Sequence, residues 1–329
     1  MRRTFLSAMF LVVALVVFSS FVAPALAQQH PLTLQERMGY PADARLLMIH
    51  ADDFGMAHSV DRAIEKALEN GWVTSASLMV PCPWYPEVLT WARQHPQADL
   101  GIHLVLNSEW SGYRWGPISP RDQVATLLDP QGYFYDDPSL FTHVKLSQIV
   151  VELHAQIDKA QTDGINITHL DSHMIALMNS RQLFQIYEDL GDAYHLPIPV
   201  TKNGDYQIPT GTTLPPDPLL LNDVVTMDPG IPSSDWVKWY EKTLAGLKPG
   251  IFQLIVHLAY DDTEMRGATQ GHPDWGAAWR QRDFDMVQSP QFRAFLRDQK
   301  FILVDWRQLS RAYERRQPLD PQTPASTTR

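Results

Sequence analysis

Four places in this chain carry side chains that could do chemistry together: Asp52-Asp53, His103, His173 and His257. Each follows or closes a short apolar run: residues 46–50 before the acidic turn Asp52-Asp53-Phe54-Gly55, Gly101-Ile102-His103-Leu104, His169-Leu170-Asp171-Ser172-His173, and Leu254-Ile255-Val256-His257. Runs of this kind read as buried strands. In a barrel or an open α/β sheet, the C-terminal ends of parallel strands converge on one face, where active sites lie. Spacings of 50, 70 and 84 residues are then compatible with one shared cleft. Two imidazoles and a carboxylate would suit a divalent cation with open coordination positions. A second carboxylate beside it would suit a general base, and another histidine a general acid. Each residue also has a plainer use. Asp53 could cap the helix that begins after Gly55, Asp171 and Ser172 could form a turn, and a histidine after a strand could simply complete a hydrogen bond.

Elements that could position these groups alternate along the chain. Residues 60–69 have helical spacing, with Val60, Ile64, Ala67 and Leu68 apolar and Asn70-Gly71 as a stop. Residues 86–94, 149–160, 180–194 and 290–299 read as further helices. Residues 75–80, 100–106, 168–170, 252–257 and 301–304 read as strands. Strands alternating with helices imply βα units and a mainly parallel sheet. Two stretches break the rhythm. Residues 108–141, rich in Trp, Tyr, Pro, Gly and Asp, read as a long ordered excursion, and 197–232 is proline-rich with little periodicity.

Composition narrows the possibilities. The chain has 329 residues, 44% of them hydrophobic and 19% charged, enough apolar mass for a sizeable core. Lys and Arg number 27 against 37 Asp and Glu, a formal charge of −10, with no basic runs. That argues against nucleic acid as a partner, because phosphate contacts need clustered Lys and Arg. One cysteine, Cys82, cannot close an internal disulfide, so stability must come from the core. Residues 1–27 read as a signal peptide: Arg2 and Arg3, an apolar stretch, then Ala25-Leu26-Ala27 before Gln28. The expected organisation is a cleaved signal over 1–27, a single domain over 28–314 and a frayed tail over 315–329. The mature chain would be exported to the periplasm or the extracellular space, with no stable membrane insertion after cleavage and an open oligomeric state.

The run His50-Ala51-Asp52-Asp53-Phe54-Gly55-Met56, followed by Gly71-Trp72-Val73-Thr74-Ser75-Ala76-Ser77-Leu78-Met79-Val80, closely resembles the YdjC-like carbohydrate deacetylases. Gly101-Ile102-His103-Leu104, Thr168-His169-Leu170-Asp171-Ser172-His173 and Ile255-Val256-His257 resemble that family's later blocks, in its order. The resemblance implies an α/β fold, a distorted (β/α) barrel of the glycoside hydrolase/deacetylase type. It implies hydrolysis of an N-acetyl group on an amino sugar, oligosaccharide or glycolipid, with release of acetate. It also implies a divalent cation, Mg²⁺ or Zn²⁺, on Asp53, His103 and His173. Asp52 would be the base that deprotonates the cation's water, and His257 the acid that protonates the leaving amine. Two features depart from the family pattern: His173 is followed by Met174-Ile175-Ala176-Leu177 rather than further histidines, and His257 by Leu258 rather than proline.

Substrate choice would fall to the loops, where Trp110, Trp115 and Trp275 could stack on sugar faces or else pack the loops down. Two other functions fit the same residues. A glycoside hydrolase would use Asp52 with another carboxylate and need no metal, and a non-catalytic carbohydrate-binding barrel would bind sugar without turnover.

Overall fold

The computed structural model describes residues 32–137, 143–212 and 218–314; the expected signal segment and tail lie outside the described residues. Seven strands form one sheet among them: β1 (Arg45–Phe54), β2 (Ser75–Leu78), β3 (Leu100–Leu104), β4 (Ile167–Ser172), β5 (Asp223–Val225), β6 (Gly250–His257) and β7 (Phe301–Leu303). Their order is β4-β3-β2-β1-β6-β5, with β7 beside β1, and every pairing is parallel. The strand and helix order is that of a distorted (β/α) barrel. β1 is the axis: β6 runs along one edge from Arg45 to Asp52. On the other edge, β7 pairs with Arg45 to Leu47 and β2 takes over at His50.

Parallel strands must be covered on both sides, which is why β1, β2, β3 and β6 are almost wholly buried. Helices His58–Glu69, Tyr85–Gln94, Leu146–Thr162, Arg181–Tyr194, Ala277–Gln288 and Pro290–Asp298 return the chain between strands. Two of them start on serine caps: Ser180 Oγ accepts the Leu183 N–H and Ser289 Oγ accepts the Phe292 N–H. No helix among the described residues is long and apolar enough to cross a membrane.

The distortion has a local cause. Between β4 and β5 runs residues 197–201, Pro-Ile-Pro-Val-Thr. Its Pro197 carbonyl accepts the Leu170 N–H at 3.0 Å and its Val200 carbonyl accepts the Leu221 N–H at 2.9 Å. Pro197 and Pro199 have no N–H to return, so this stretch links the two sides without becoming a strand. The proline-rich region therefore does hold structure, β5 included, where the sequence showed no period.

Other expectations need adjustment. The acidic pair is not a turn: β1 runs on through Asp52 and Asp53 to Phe54. Nor does Asp53 cap the next helix, whose N-cap is Ala57 without a side-chain bond. The described part of the excursion after β3, residues 108–137, packs down on its aromatics, with Trp110, Trp115 and Phe134 buried; 138–141 lie outside the described residues. Arg114 ties it together, donating to Asp129 Oδ2 at 3.2 Å and to the Phe134 carbonyl at 2.5 Å. Cys82 is buried and unpaired in a disulfide.

Candidate active site

The four strand ends meet. Asp52 and Asp53 come from β1, His103 from β3, His173 from the residue after β4, and His257 from the last position of β6. β1 and β6 are in register at Asp52 and His257. On its other edge the β1–β2 register breaks between Ala51 and Phe54, and Asp53 sits at φ 69°. That left-handed residue is a bulge, and it turns two consecutive carboxylates toward one site where regular alternation would send them to opposite faces. A non-glycine residue held at positive φ stores strain, which is tolerated where the side chain has a task.

Three atoms converge. Asp53 Oδ1 lies 3.4 Å from His103 Nε2 and 3.4 Å from His173 Nδ1, and the two nitrogens are 3.2 Å apart. Atoms that share a cation at about 2.1 Å stand roughly 3.0–3.4 Å from one another. Asp53 Oδ1 is buried and accepts no hydrogen bond among the described residues, an orphaned acceptor of the kind a cation would satisfy. The donor set therefore fits a divalent cation.

Each of these three side chains is held from behind. His103 Nδ1–H donates to Asp171 Oδ1 at 2.6 Å. His173 Nε2–H donates to Glu109 Oε2 at 3.0 Å. Asp53 Oδ2 accepts from Arg280 Nη2 at 2.7 Å. Outer partners of this type fix the tautomer and the ring direction of a ligand. Electrostatics follow the geometry. Burial works against the charge on Asp53, but Arg280 and then the two histidines outweigh it and hold the carboxyl well below its ordinary range. Burial likewise opposes a charged His173, yet Glu109 and Asp53 raise its pKa to about 9.

Asp52 and His257 stand together on the β6 side. Asp52 Oδ2 is 3.8 Å from His257 Nε2 and 3.9 Å from His103 Nε2. Burial pulls the His257 pKa down to about 4, with Arg280 adding to that and Asp53 and Asp52 opposing it, so the ring rests neutral near pH 7. Its backbone N–H is fixed by Asp283 Oδ2 at 3.1 Å. Asp283 also takes hydrogen bonds from Trp236 and Tyr240.

The tryptophans divide. Trp110 is 3% exposed and Trp115 2%. The Trp115 indole N–H donates to the Asn107 carbonyl at 2.8 Å, and Trp110 packs edge-on against His272. Neither offers a free face for a sugar, because both are spent in folding the excursion over the site. Trp275 is half-buried and stacks on Trp279. Four supporting residues are not among the sequence-predicted site residues: His50, Glu109, Arg280 and Asp283. Asp171 is a fifth, an acceptor for two imidazoles rather than a turn former. Its signal was available, since His169, Asp171 and His173 follow a two-residue period.

Comparison with known proteins agrees with the geometry. The family model of YdjC-like proteins matches residues 46–298. A carbohydrate deacetylase of Thermus thermophilus is 30% identical over 293 residues, which cover 85% of this chain and 99% of that protein. One from Thermoanaerobacter pseudethanolicus is 27% identical over 267 residues, covering 80% and 98%. Among solved structures, an Enterococcus faecalis V583 protein with a provisional cellobiose-phosphate cleavage assignment superposes with a TM-score of 0.66. It is 22% identical and covers 81% of this chain and 99% of its own, which shows the shared fold. With residues 46–298 matched and the five blocks in place around one site, the chain belongs to the YdjC-like protein family.

Proposed function

We propose that this chain is a carbohydrate deacetylase, a divalent-cation-dependent hydrolase that removes an N-acetyl group from an amino sugar, an acetylated oligosaccharide or a glycolipid and releases acetate. The observation that carries the reading is the convergence of Asp53 Oδ1, His103 Nε2 and His173 Nδ1 within 3.4 Å of one another, with the Asp52 carboxylate alongside. The carbohydrate deacetylases among its relatives support the substrate class.

Asp53, His103 and His173 would hold Mg²⁺ or Zn²⁺, which supplies Lewis acidity toward a water and toward the acyl oxygen. Asp52 Oδ2 accepts a proton from the attacking water. His257 rests neutral, so the proton it gives the leaving nitrogen must first reach it, and Asp52 lies 3.8 Å away to pass it on. One C–N bond breaks and one C–O bond forms, and the proton taken from water ends on the amine. Arg280 keeps Asp53 ionised, and Asp171 and Glu109 keep the two imidazoles turned inward. Trp275, with one face on Trp279, is the tryptophan available to line a sugar subsite.

Acetate release on a panel of N-acetylated mono- and oligosaccharides, before and after chelation, tests the reading, with Asp53→Ala as control. Chelator-sensitive release that is lost in Asp53→Ala is expected. Release that survives both chelation and the substitution would overturn the cation requirement. Sugar binding by an intact, cation-loaded fold without acetate release would favour a non-catalytic barrel. The N-terminal pattern before Gln28 supports export, which cell fractionation with N-terminal sequencing of the mature chain would test.

A further inference from the structure

His50 has no step in the reaction as described, yet it is fully buried against the groups that do. It lies two residues before Asp52 on β1, so both side chains leave the same face of the strand. Its Nε2 is 2.9 Å from Asp171 Oδ2, 3.1 Å from Ser77 Oγ and 3.2 Å from Asp52 Oδ1. Its Nδ1 is 2.7 Å from Ser75 Oγ. Below it, the His169 ring packs edge-on at 4.9 Å and stacks on Trp306, closing the space on that side. A ring nitrogen that faces two carboxylates must carry its hydrogen, because a bare lone pair there would meet only oxygen lone pairs.

The two oxygens of Asp52 have different surroundings. Oδ2 faces His257 and His103 across the cleft. Oδ1 is buried, and the His50 N–H is the donor beside it, at ion-pair distance and off the ideal hydrogen-bond line. We propose that His50 is a positioning residue: its Nε2–H, donated to Asp171 Oδ2 and shared at longer range with Asp52 Oδ1, tethers Asp52 so that Oδ2 stays turned to the cleft. The inference rests on the reading of Asp52 as the general base. Position matters there because a base displaced by about 1 Å can cost on the order of 10²-fold in rate.

The test compares His50→Leu, His50→Gln and Asp52→Asn in the zinc-loaded full chain. The assay is acetate release from whichever acetylated sugar of the panel the wild type turns over fastest. His50→Leu should lower kcat by about 10–100-fold, the range for loss of an outer-shell partner, with KM and zinc affinity unchanged. His50→Gln, whose side-chain amide can place an N–H near the lost Nε2–H, should recover most of that kcat. A crystal structure of His50→Leu needs no substrate and should show the Asp52 carboxylate in more than one orientation. Should His50→Leu fail to fold, His50→Asn, polar and too short to reach Asp52, takes its place with the same expectation. Wild-type kcat in His50→Leu, an equal loss in His50→Gln, or an unmoved Asp52 would each overturn the proposal. Asp52→Asn separates the two levels: activity retained there refutes Asp52 as base, whereas activity lost there with His50→Leu unaffected refutes the tether alone.

Discussion

Asp171 Oδ1 accepts the Nδ1–H of His103 at 2.6 Å, and this contact decides which nitrogen of His103 faces Asp53. The other oxygen of Asp171 takes the His50 N–H at 2.9 Å, so one carboxylate braces two imidazoles. Asp171→Asn can present an N–H where His103 needs an acceptor. Zinc affinity, measured by calorimetry, should fall by about 10–100-fold. Unchanged affinity would mean that His103 is held by packing alone.

The charge on His173 sets a pH dependence. In the metal-free chain, burial lowers its pKa, but Glu109 and Asp53 outweigh burial and hold it at about 9. His103 is raised well above its ordinary value too, by Asp171 and Asp52 against the same desolvation. Both rings must lose a proton from the facing nitrogen before a cation can bind there. The sign follows: protons compete while these rings are charged, so zinc affinity should climb from neutral pH toward pH 9. Each displaced proton contributes roughly tenfold per pH unit. Calorimetry in buffers of different ionisation enthalpy should register proton release, and a flat affinity with no release would contradict the arrangement.

Arg280 is 1% exposed, with Nη2 2.7 Å from Asp53 Oδ2 and Nε donating to the Trp275 carbonyl at 2.6 Å. Removing one member of a buried ion pair leaves the other charge uncompensated, a cost of about 3–5 kcal/mol. Arg280→Met should therefore lower the melting temperature of the metal-free chain markedly. A cation can supply part of the missing charge, so the rise in melting temperature on adding zinc should be larger in Arg280→Met than in the wild type. An equal or smaller rise would show that the cation does not replace Arg280 in compensating the Asp53 charge.

These partners explain what could and could not be read in advance. The strand ends were legible because Asp52, His103, His173 and His257 are polar side chains set in or against short apolar runs, and parallel strands bring the ends of such runs together. Helix Ala277–Gln288 was not, because Arg280 and Asp283 occupy its buried face and erase the polarity period that marks a helix. Strand β5 has three residues inside a proline-rich stretch, too short to show alternation. The bulge at Asp53 depends on how β1 pairs with β2, which is tertiary information. Trp110 and Trp115 show the limit of composition: an aromatic loop reads the same whether its rings face a ligand or the core.

Gly101 tests the packing beneath the site. It stands on β3 two residues before His103, and a Cβ added to it would collide with the His169 imidazole. That ring cannot swing away easily, since it stacks on Trp306 at 4.9 Å and its Nδ1 is 3.0 Å from Thr168 Oγ1. Overpacking in a filled core costs about 1–3 kcal/mol. Gly101→Ala should lower the melting temperature accordingly, and because the strain falls on the layer shared by His169 and His50 it should also weaken zinc binding through His103. His169→Ala in the same chain removes the obstacle. The double variant should be more stable than the sum of the two single losses predicts. Strict additivity in thermal melts would refute the collision, since two residues in direct steric conflict must show a coupling energy.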